Sequence, residues 1–205
     1  MFNVITLDRE YGAGGSDIAQ KLGRRLDWPV WDARLTNEIA RLMECDCETV
    51  ERREERKDPL YYRLIKAYFR GSTEGVQNAP RLKMVDADCI REATERVVKE
   101  TATTDHAVLV GRGSAYYLHD RPDVFHVFVY APRAEKVRRL QSRGESAADA
   151  ERLADTVDRD RAAFIKRYFR VDWPDRNLFH LMVNSSMGDE AAVDTIAQSM
   201  AMARS

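Results

Sequence analysis

Charge of one sign is what this chain of 205 residues most clearly lacks: 33 Lys and Arg stand against 34 Asp and Glu. A dedicated nucleic-acid binder carries a dominant basic surface, so no nucleic-acid partner is expected, although local basic pockets remain open. Long apolar runs are missing too. No stretch approaches the roughly 20 residues that cross a bilayer, so no membrane span is expected. The opening MFNVITLDRE has no basic start, long apolar segment or small-residue cleavage site, and a signal peptide is not expected either. Cysteine is scarce, with Cys45, Cys47 and Cys89 only. An odd number whose first two members flank one residue fits neither a disulfide framework nor a C-x2-C metal half-site. The expectation is a cytoplasmic protein with reduced thiols. Repeats and low-complexity tracts are absent, and 44% hydrophobic against 33% charged residues excludes a wholly disordered chain.

What is present alternates. Phe2 to Leu7 is a short apolar, β-branched run, read as a buried strand. Ile18, Leu22 and Leu26 at four-residue spacing mark a helix ending near Asp27. Pro29-Val30-Trp31 reads as a second strand ending at Asp32, followed by a helix with Leu35, Ile39, Leu42 and Met43 on one face. Further strands are expected at His106 to Val110, Val124 to Tyr130 and Leu178 to Val183. Helices are expected near Asp86 to Thr101, after Pro132, over Ala147 to Phe169, and from Asp189 onward. Strands alternating with helices indicate an α/β fold on a parallel sheet. The irregular segment 45–85, with its charged run and Tyr61, Tyr62, Tyr68 and Phe69, reads as an insertion into a single domain. At helical spacing those aromatics read as packing residues rather than a base platform.

Between the first strand and the first helix lies Arg9-Glu10-Tyr11-Gly12-Ala13-Gly14-Gly15-Ser16, with three glycines in four positions. A strand, a glycine turn and a helix start make a phosphate cradle, because backbone N–H groups and the helix N-terminus face one anion. The dinucleotide pattern G-x-G-x-x-G fits Gly12 and Gly14 but meets Asp17 at its third glycine, while Asp32 sits at the spacing of its ribose-binding acid. The P-loop pattern G-x-x-x-x-G-K-[ST] fits Gly14 and Ser16, the Mg2+-holding hydroxyl. Arg9 then stands for its first glycine and Gly15 for its lysine. A bare strand-to-helix turn is the third possibility. Arg112, between Gly111 and Gly113 after a strand, is placed to reach the same crevice, and guanidinium suits bidentate phosphate binding. The Arg-rich stretch Asp158 to Arg170 reads either as a solvated helix or as a phosphate lid.

Four segments carry a resemblance. Ile5 to Ala19, Val108 to Gly113 with Phe125 to Pro132, Asp158 to Trp173, and Asn184-Ser185-Ser186 occur in the order of the cytidylate kinase-like family. That family is a branch of the P-loop nucleoside monophosphate kinases with glycine at the lysine position. The resemblance implies a three-layer P-loop kinase fold with a five-stranded parallel sheet, an NMP-binding insertion near 45–85 and a lid near 143–176. It implies transfer of the ATP γ-phosphoryl group to CMP or dCMP with Mg2+. By position, Gly12, Ala13, Gly14, Gly15 and Ser16 would cradle the donor phosphates, Ser16 would ligate Mg2+, and Arg139 would contact the nucleotide from the helix before the lid. Arg112 would hold the acceptor phosphate, Asp160 and Arg161 would act from the lid, and Asp32 would open the acceptor site. Gly113 replaces the Asp of the family's G-R-D, and Ala162 and Ala163 replace a further lid Arg.

With the P-loop lysine absent, a unit of charge is missing beside the β/γ phosphates. An arginine from outside the turn is expected to supply it, Arg9 first and Arg161 next; the alternative for Arg9 is a structural ion pair with Glu10 or Asp32. The leading functional expectation is therefore a nucleoside monophosphate kinase. Its rivals are a nucleotide-binding regulatory protein without catalysis, a P-loop kinase for another small acceptor, and a dinucleotide-binding oxidoreductase, which Asp17 disfavours.

Overall fold

Strands buried on both faces are apolar at most positions, and three segments of this chain meet that requirement. In the computed structural model, which describes residues 1–46, 87–103 and 106–203, these are β1 (Val4–Arg9), β3 (Ala107–Val110) and β4 (Val124–Tyr130). The short β2 (Val30–Trp31) and β5 (Leu181–Asn184) flank them. All pairings are parallel and the order is β2-β3-β1-β4-β5. The helices are α1 (Gly15–Leu26), α2 (Ala33–Asp46), α3 (Ala87–Thr101), α4 (Ser114–Tyr117), α5 (Arg133–Ser142), α6 (Ala147–Phe169) and α7 (Asp189–Met202).

The sheet separates two cores. On one face Ile5, Leu7, Val108 and Val127 pack on Ile18 and Leu22 of α1 and Ile196 of α7. On the other, Val4, Leu109 and Phe128 pack on Leu35 and Ile39 of α2 and Val97 and Val98 of α3. The three layers agree with the expected architecture. A third, smaller cluster joins Leu140 of α5 to Ala150, Leu153, Ala154 and Val157 of α6, with Tyr11 inserted between them. The expected insertion falls almost wholly on residues 47–86, outside the described residues, as do its aromatics. Among the described residues no helix is long and apolar enough to cross a membrane.

Two strand ends differ from expectation. β1 runs on through Asp8 and Arg9, which pair with Phe128 and Val129 of β4. These polar residues sit at the carboxyl end of a central strand, where a parallel sheet faces its ligand rather than its core. β5 starts only at Leu181, because Leu178 closes a turn onto the Asp175 carbonyl and the His180 N–H bonds the His126 carbonyl.

His126 is a buried polar residue inside β4. Thr6 Oγ1 lies 2.7 Å from its Nδ1, its Nε2 is buried without a partner, and the His180 ring stacks on it at 5.3 Å. Burial, then the charges of His180 and His119, push its pKa down to about 4. Burial moves His180 in the same direction. The unfolded chain therefore takes up protons that the folded one refuses, so stability falls as pH drops from about 6.5 towards 4. The His126 contribution is at most about 3 kcal/mol. Urea unfolding at pH 7 and pH 4.5 should reveal this loss, and His126→Gln should flatten it; equal slopes in both proteins would rule it out.

Candidate functional site

The strand order reverses on either side of β1, so the loops after β1 and β3 meet at a switch point, where open α/β sheets bind ligands. The loop after β1 turns through Gly12 and Gly14 at φ +79° and +77°, values that L side chains rarely adopt. Gly14 caps α1 without a side-chain hydrogen bond, leaving the first helical N–H groups for an anion. The loop after β3 is more unusual. Gly111, Arg112 and Gly113 all lie in the left-handed region, at φ 65°, 57° and 63°. For Arg112 this costs about 1–2 kcal/mol, a strain characteristic of functional turns. It turns the guanidinium back under the sheet end, where Nη2 donates to Thr36 Oγ1 at 2.8 Å.

Arg9 and Arg161, expected to replace the missing lysine charge, and Arg112, expected at the acceptor phosphate, line one small cavity of about 10 Å3 together with Asp8, Gly113, Ile165 and Trp173. All three are buried, with 4%, 2% and 6% exposure. Burial first, and then the neighbouring Arg9 charge, lower the pKa of Arg161. Arg9 reaches Asp32 at 3.8 Å. Burial raises the Asp32 pKa despite the opposing effects of Arg9, Ser16, Arg112 and Arg161. Asp158 lies 3.5 Å from Arg161 and Asp8 shares the cavity, and three guanidiniums lining one cavity suit a multivalent anion.

Arg161 arrives from α6, and its burial has a readable cause. Ala150, Leu153, Ala154, Val157, Phe164 and Ile165 form the buried stripe of that helix, and Asp160 and Arg161 fall on the same stripe. From its charges alone this segment reads equally as a solvated helix or as a phosphate lid. The apolar stripe on both sides was the signal that Asp160 and Arg161 point inward.

The helix is fastened to the glycine loop at several points. Arg161 Nη1 donates to the Arg9 carbonyl at 2.7 Å. Asp158 accepts from the Tyr11 N–H at 2.7 Å and pairs with Lys136 at 2.9 Å. Lys136 also reaches Glu10 at 3.1 Å. Burial works against the Lys136 ammonium, but Asp158 and Glu10 outweigh it and raise its pKa. Beyond the helix, Trp173 Nε1 donates to Asp8 at 3.2 Å. Asp8, Lys136, Asp158 and Trp173 had no assigned role at the sequence level.

Arg139 and Asp160 lie apart from the cavity wall. Arg139 donates to Glu135, Asp189 and the Ser185 carbonyl at 2.8–3.0 Å, and its Nη1 fills the space beside Gly14 where a Cβ would be. It braces the outer side of the loop. Asp160 is buried on α6 beside Arg161.

The Mg2+ implied by the resemblance can be tested against the donor set. Ser16 Oγ and Asp32 Oδ1 are both buried with no well-formed hydrogen bond, and Ser16 is close enough to Asp32 to favour its ionised form. Two hard oxygens at a helix start fit Mg2+, which takes one or two protein oxygens and completes its shell with phosphates and water. Among the described residues no cluster of three His, Cys, Asp or Glu side chains offers a competing metal site.

A parallel sheet of this order, a glycine turn opening a helix at its switch point and arginines converging beside it define a P-loop kinase fold. Residues 4–187 match the cytidylate kinase-like family, and the chain belongs to that family. A curated cytidylate kinase of Methanosarcina acetivorans is 28% identical over 85 residues, 40% of this chain and 47% of the relative. The match spans less than half the length of the curated relatives. A crystal structure of an uncharacterized protein from Eubacterium ventriosum aligns with a TM-score of 0.65 at 17% identity, covering 96% of both chains. Shikimate kinase from Acinetobacter baumannii, solved in complex with shikimate, aligns with a TM-score of 0.53 at 15% identity over 98% of this chain and 94% of its own. At these identities the structural likenesses speak to the fold alone.

Proposed function

We propose that the chain transfers the γ-phosphoryl group of ATP to a nucleoside monophosphate, CMP or dCMP, with Mg2+. The observation that carries this reading is the convergence of Arg9, Arg112 and Arg161 on one cavity beside the glycine loop. Phosphoryl transfer needs little covalent chemistry from the protein. It needs positioned cations and exclusion of water, and an acceptor phosphate oxygen requires no side-chain base.

Each group has a place in this scheme. The N–H groups of Gly12, Gly14, Gly15 and Ser16 hold the donor phosphates, whereas the Ala13 N–H, expected to join them, donates to the Glu10 carbonyl at 3.3 Å inside the turn. Ser16 Oγ and Asp32 would hold Mg2+, which would supply charge neutralisation for the phosphates. Arg112 holds the acceptor phosphate, and Arg161 and Arg9 face the group in transit. Arg139 steadies the loop from its outer side, and Asp160 supports Arg161. Residues 143–176 serve as the lid that excludes water during transfer, with Arg161 on its inner face. Substrate and location are proposed as a cytoplasmic pyrimidine nucleotide kinase, with segment 45–85 contributing to the acceptor site.

ADP release from Mg-ATP across CMP, dCMP, UMP, AMP and no acceptor tests the reading. Turnover with CMP or dCMP supports it. Nucleotide binding without turnover supports a regulatory protein instead, and turnover restricted to a non-nucleotide acceptor supports another small-molecule kinase.

The metal assignment makes its own prediction. Ser16→Ala is expected to weaken Mg2+-dependent ATP binding about tenfold while Mg2+-free binding changes less, and Ser16→Thr should be tolerated. Calorimetric titration with and without Mg2+ measures this. Unchanged Mg2+ dependence in Ser16→Ala removes Ser16 from the metal site.

A further inference from the structure

The loop departs from G-x-x-x-x-G-K-[ST] at two positions, Arg9 for the first glycine and Gly15 for the lysine. The structure ties the two departures together. Gly15 opens α1 without a left-handed φ, so its backbone does not require glycine. What it requires is space. A Cβ on Gly15 would lie 2.8 Å from Arg9 Cβ and 2.7 Å from Arg9 Cγ, with Leu7 Cδ2 at 3.3 Å. These Arg9 atoms are the near end of a side chain rooted in β1, so they cannot swing clear. Arg9 then passes over Gly111, where a Cβ would overlap its Nη1. It ends beside Asp32 in the cavity shared with Arg112 and Arg161.

We propose that Arg9 is the transposed phosphate-loop cation: side chains at positions 9 and 15 compete for one channel, and this chain sends its charge down that channel from the strand end rather than from the helix start. Gly15 marks the vacated position and Gly111 the clearance for the guanidinium. The proposal rests on the P-loop kinase reading and deepens it, assigning to Arg9 the neutralisation that Arg161 could otherwise supply. Arg161 reaches the cavity only from α6, whereas Arg9 is fixed to the loop itself and stays with bound ATP whatever the lid does.

The test is an exchange. Arg9→Gly combined with Gly15→Lys gives the loop the pattern G-x-x-x-x-G-K-S. Gly15→Lys alone is expected to lower the melting temperature of the nucleotide-free protein by several degrees, because Arg9 fills the channel, and adding Arg9→Gly should recover most of that loss. Arg9→Gly alone is expected to cost at least tenfold in Mg-ATP affinity or in kcat, and the pair should regain at least tenfold over the poorer single variant. Gly15→Ala separates space from charge: it should impair the parent and be neutral on top of Arg9→Gly.

Strictly additive losses in the pair overturn the proposal. So does an Arg9→Gly protein that keeps ATP affinity and kcat within twofold of the parent. ATP affinity and the nucleotide-free melting temperature decide the exchange even where no nucleoside monophosphate turns over, so failure of the acceptor assignment is read separately. A parent protein that binds no Mg-ATP overturns both.

Discussion

Replacing Arg161 by alanine is expected to lower kcat by about three orders of magnitude while the ATP KM changes only a few-fold. Arginines that meet the transferred phosphoryl group contribute about 10^3 to 10^5 in rate in related chemistry. Arg161 is buried, its charge is set against that of Arg9 although Asp158 lies 3.5 Å away, and its Nη1 donates to the Arg9 carbonyl at 2.7 Å. A cation kept in so unfavourable a place has its interactions strengthened when negative charge arrives. Arg161→Lys separates charge from geometry: an ammonium keeps the charge but cannot both bond the Arg9 carbonyl and face the cavity in the same fork, so partial recovery is expected. Steady-state kinetics in both substrates, with circular dichroism as a folding control, decides. A well-folded Arg161→Ala protein within tenfold of the parent kcat would show that this side chain only fastens the helix.

The second large effect is expected at Arg112, and it should appear in a different constant. Arg112→Ala should raise the acceptor KM far more than the ATP KM. Truncating one member of a buried charge pair costs about 2–5 kcal/mol, which is about 30- to 5,000-fold in acceptor kcat/KM. The backbone sharpens the expectation. Arg112 sits at φ 57° between two glycines that are also left-handed, so the turn is already built for its side chain to point at the cavity. Losing the side chain also leaves Thr36 Oγ1 without the donor it has at 2.8 Å. Lysine at this position should recover part of the loss, because the two-pronged donor is gone. Equal losses for ATP and acceptor, or none, would remove Arg112 from the acceptor site.

The fold was largely legible because its strands and helices obey different periods. The mainly apolar runs of β1, β3 and β4 and the four-residue spacing of Ile18, Leu22 and Leu26 give element type and chain order directly. Strand ends were less legible. Asp8 and Arg9 break the apolar pattern while continuing the ladder, since site residues at a strand's carboxyl end answer to a ligand and not to the core. The glycine loop could be located but not chosen between two nucleotide devices by spacing alone; the resemblance made that choice. The network of Glu10, Lys136 and Asp158 was invisible for a plain reason. Residues more than 120 positions apart meet there through the docking of α6, and charged side chains look the same in sequence whether they face water or each other. Only the apolar stripe of α6 betrays the inward turn of Asp160 and Arg161.

The channel beside Gly15 also constrains how such a loop can change over generations. While Arg9 occupies it, a lysine at position 15 has nowhere to go, because even a Cβ there would lie 2.7 Å from Arg9 Cγ. If Arg9 is lost first, the loop passes through a form with its cation missing. Either order of single substitutions crosses an impaired intermediate, so the two positions drift only as a pair. A lineage that has adopted the arginine form is held in it by sterics, and its descendants would diverge widely elsewhere before these two residues moved.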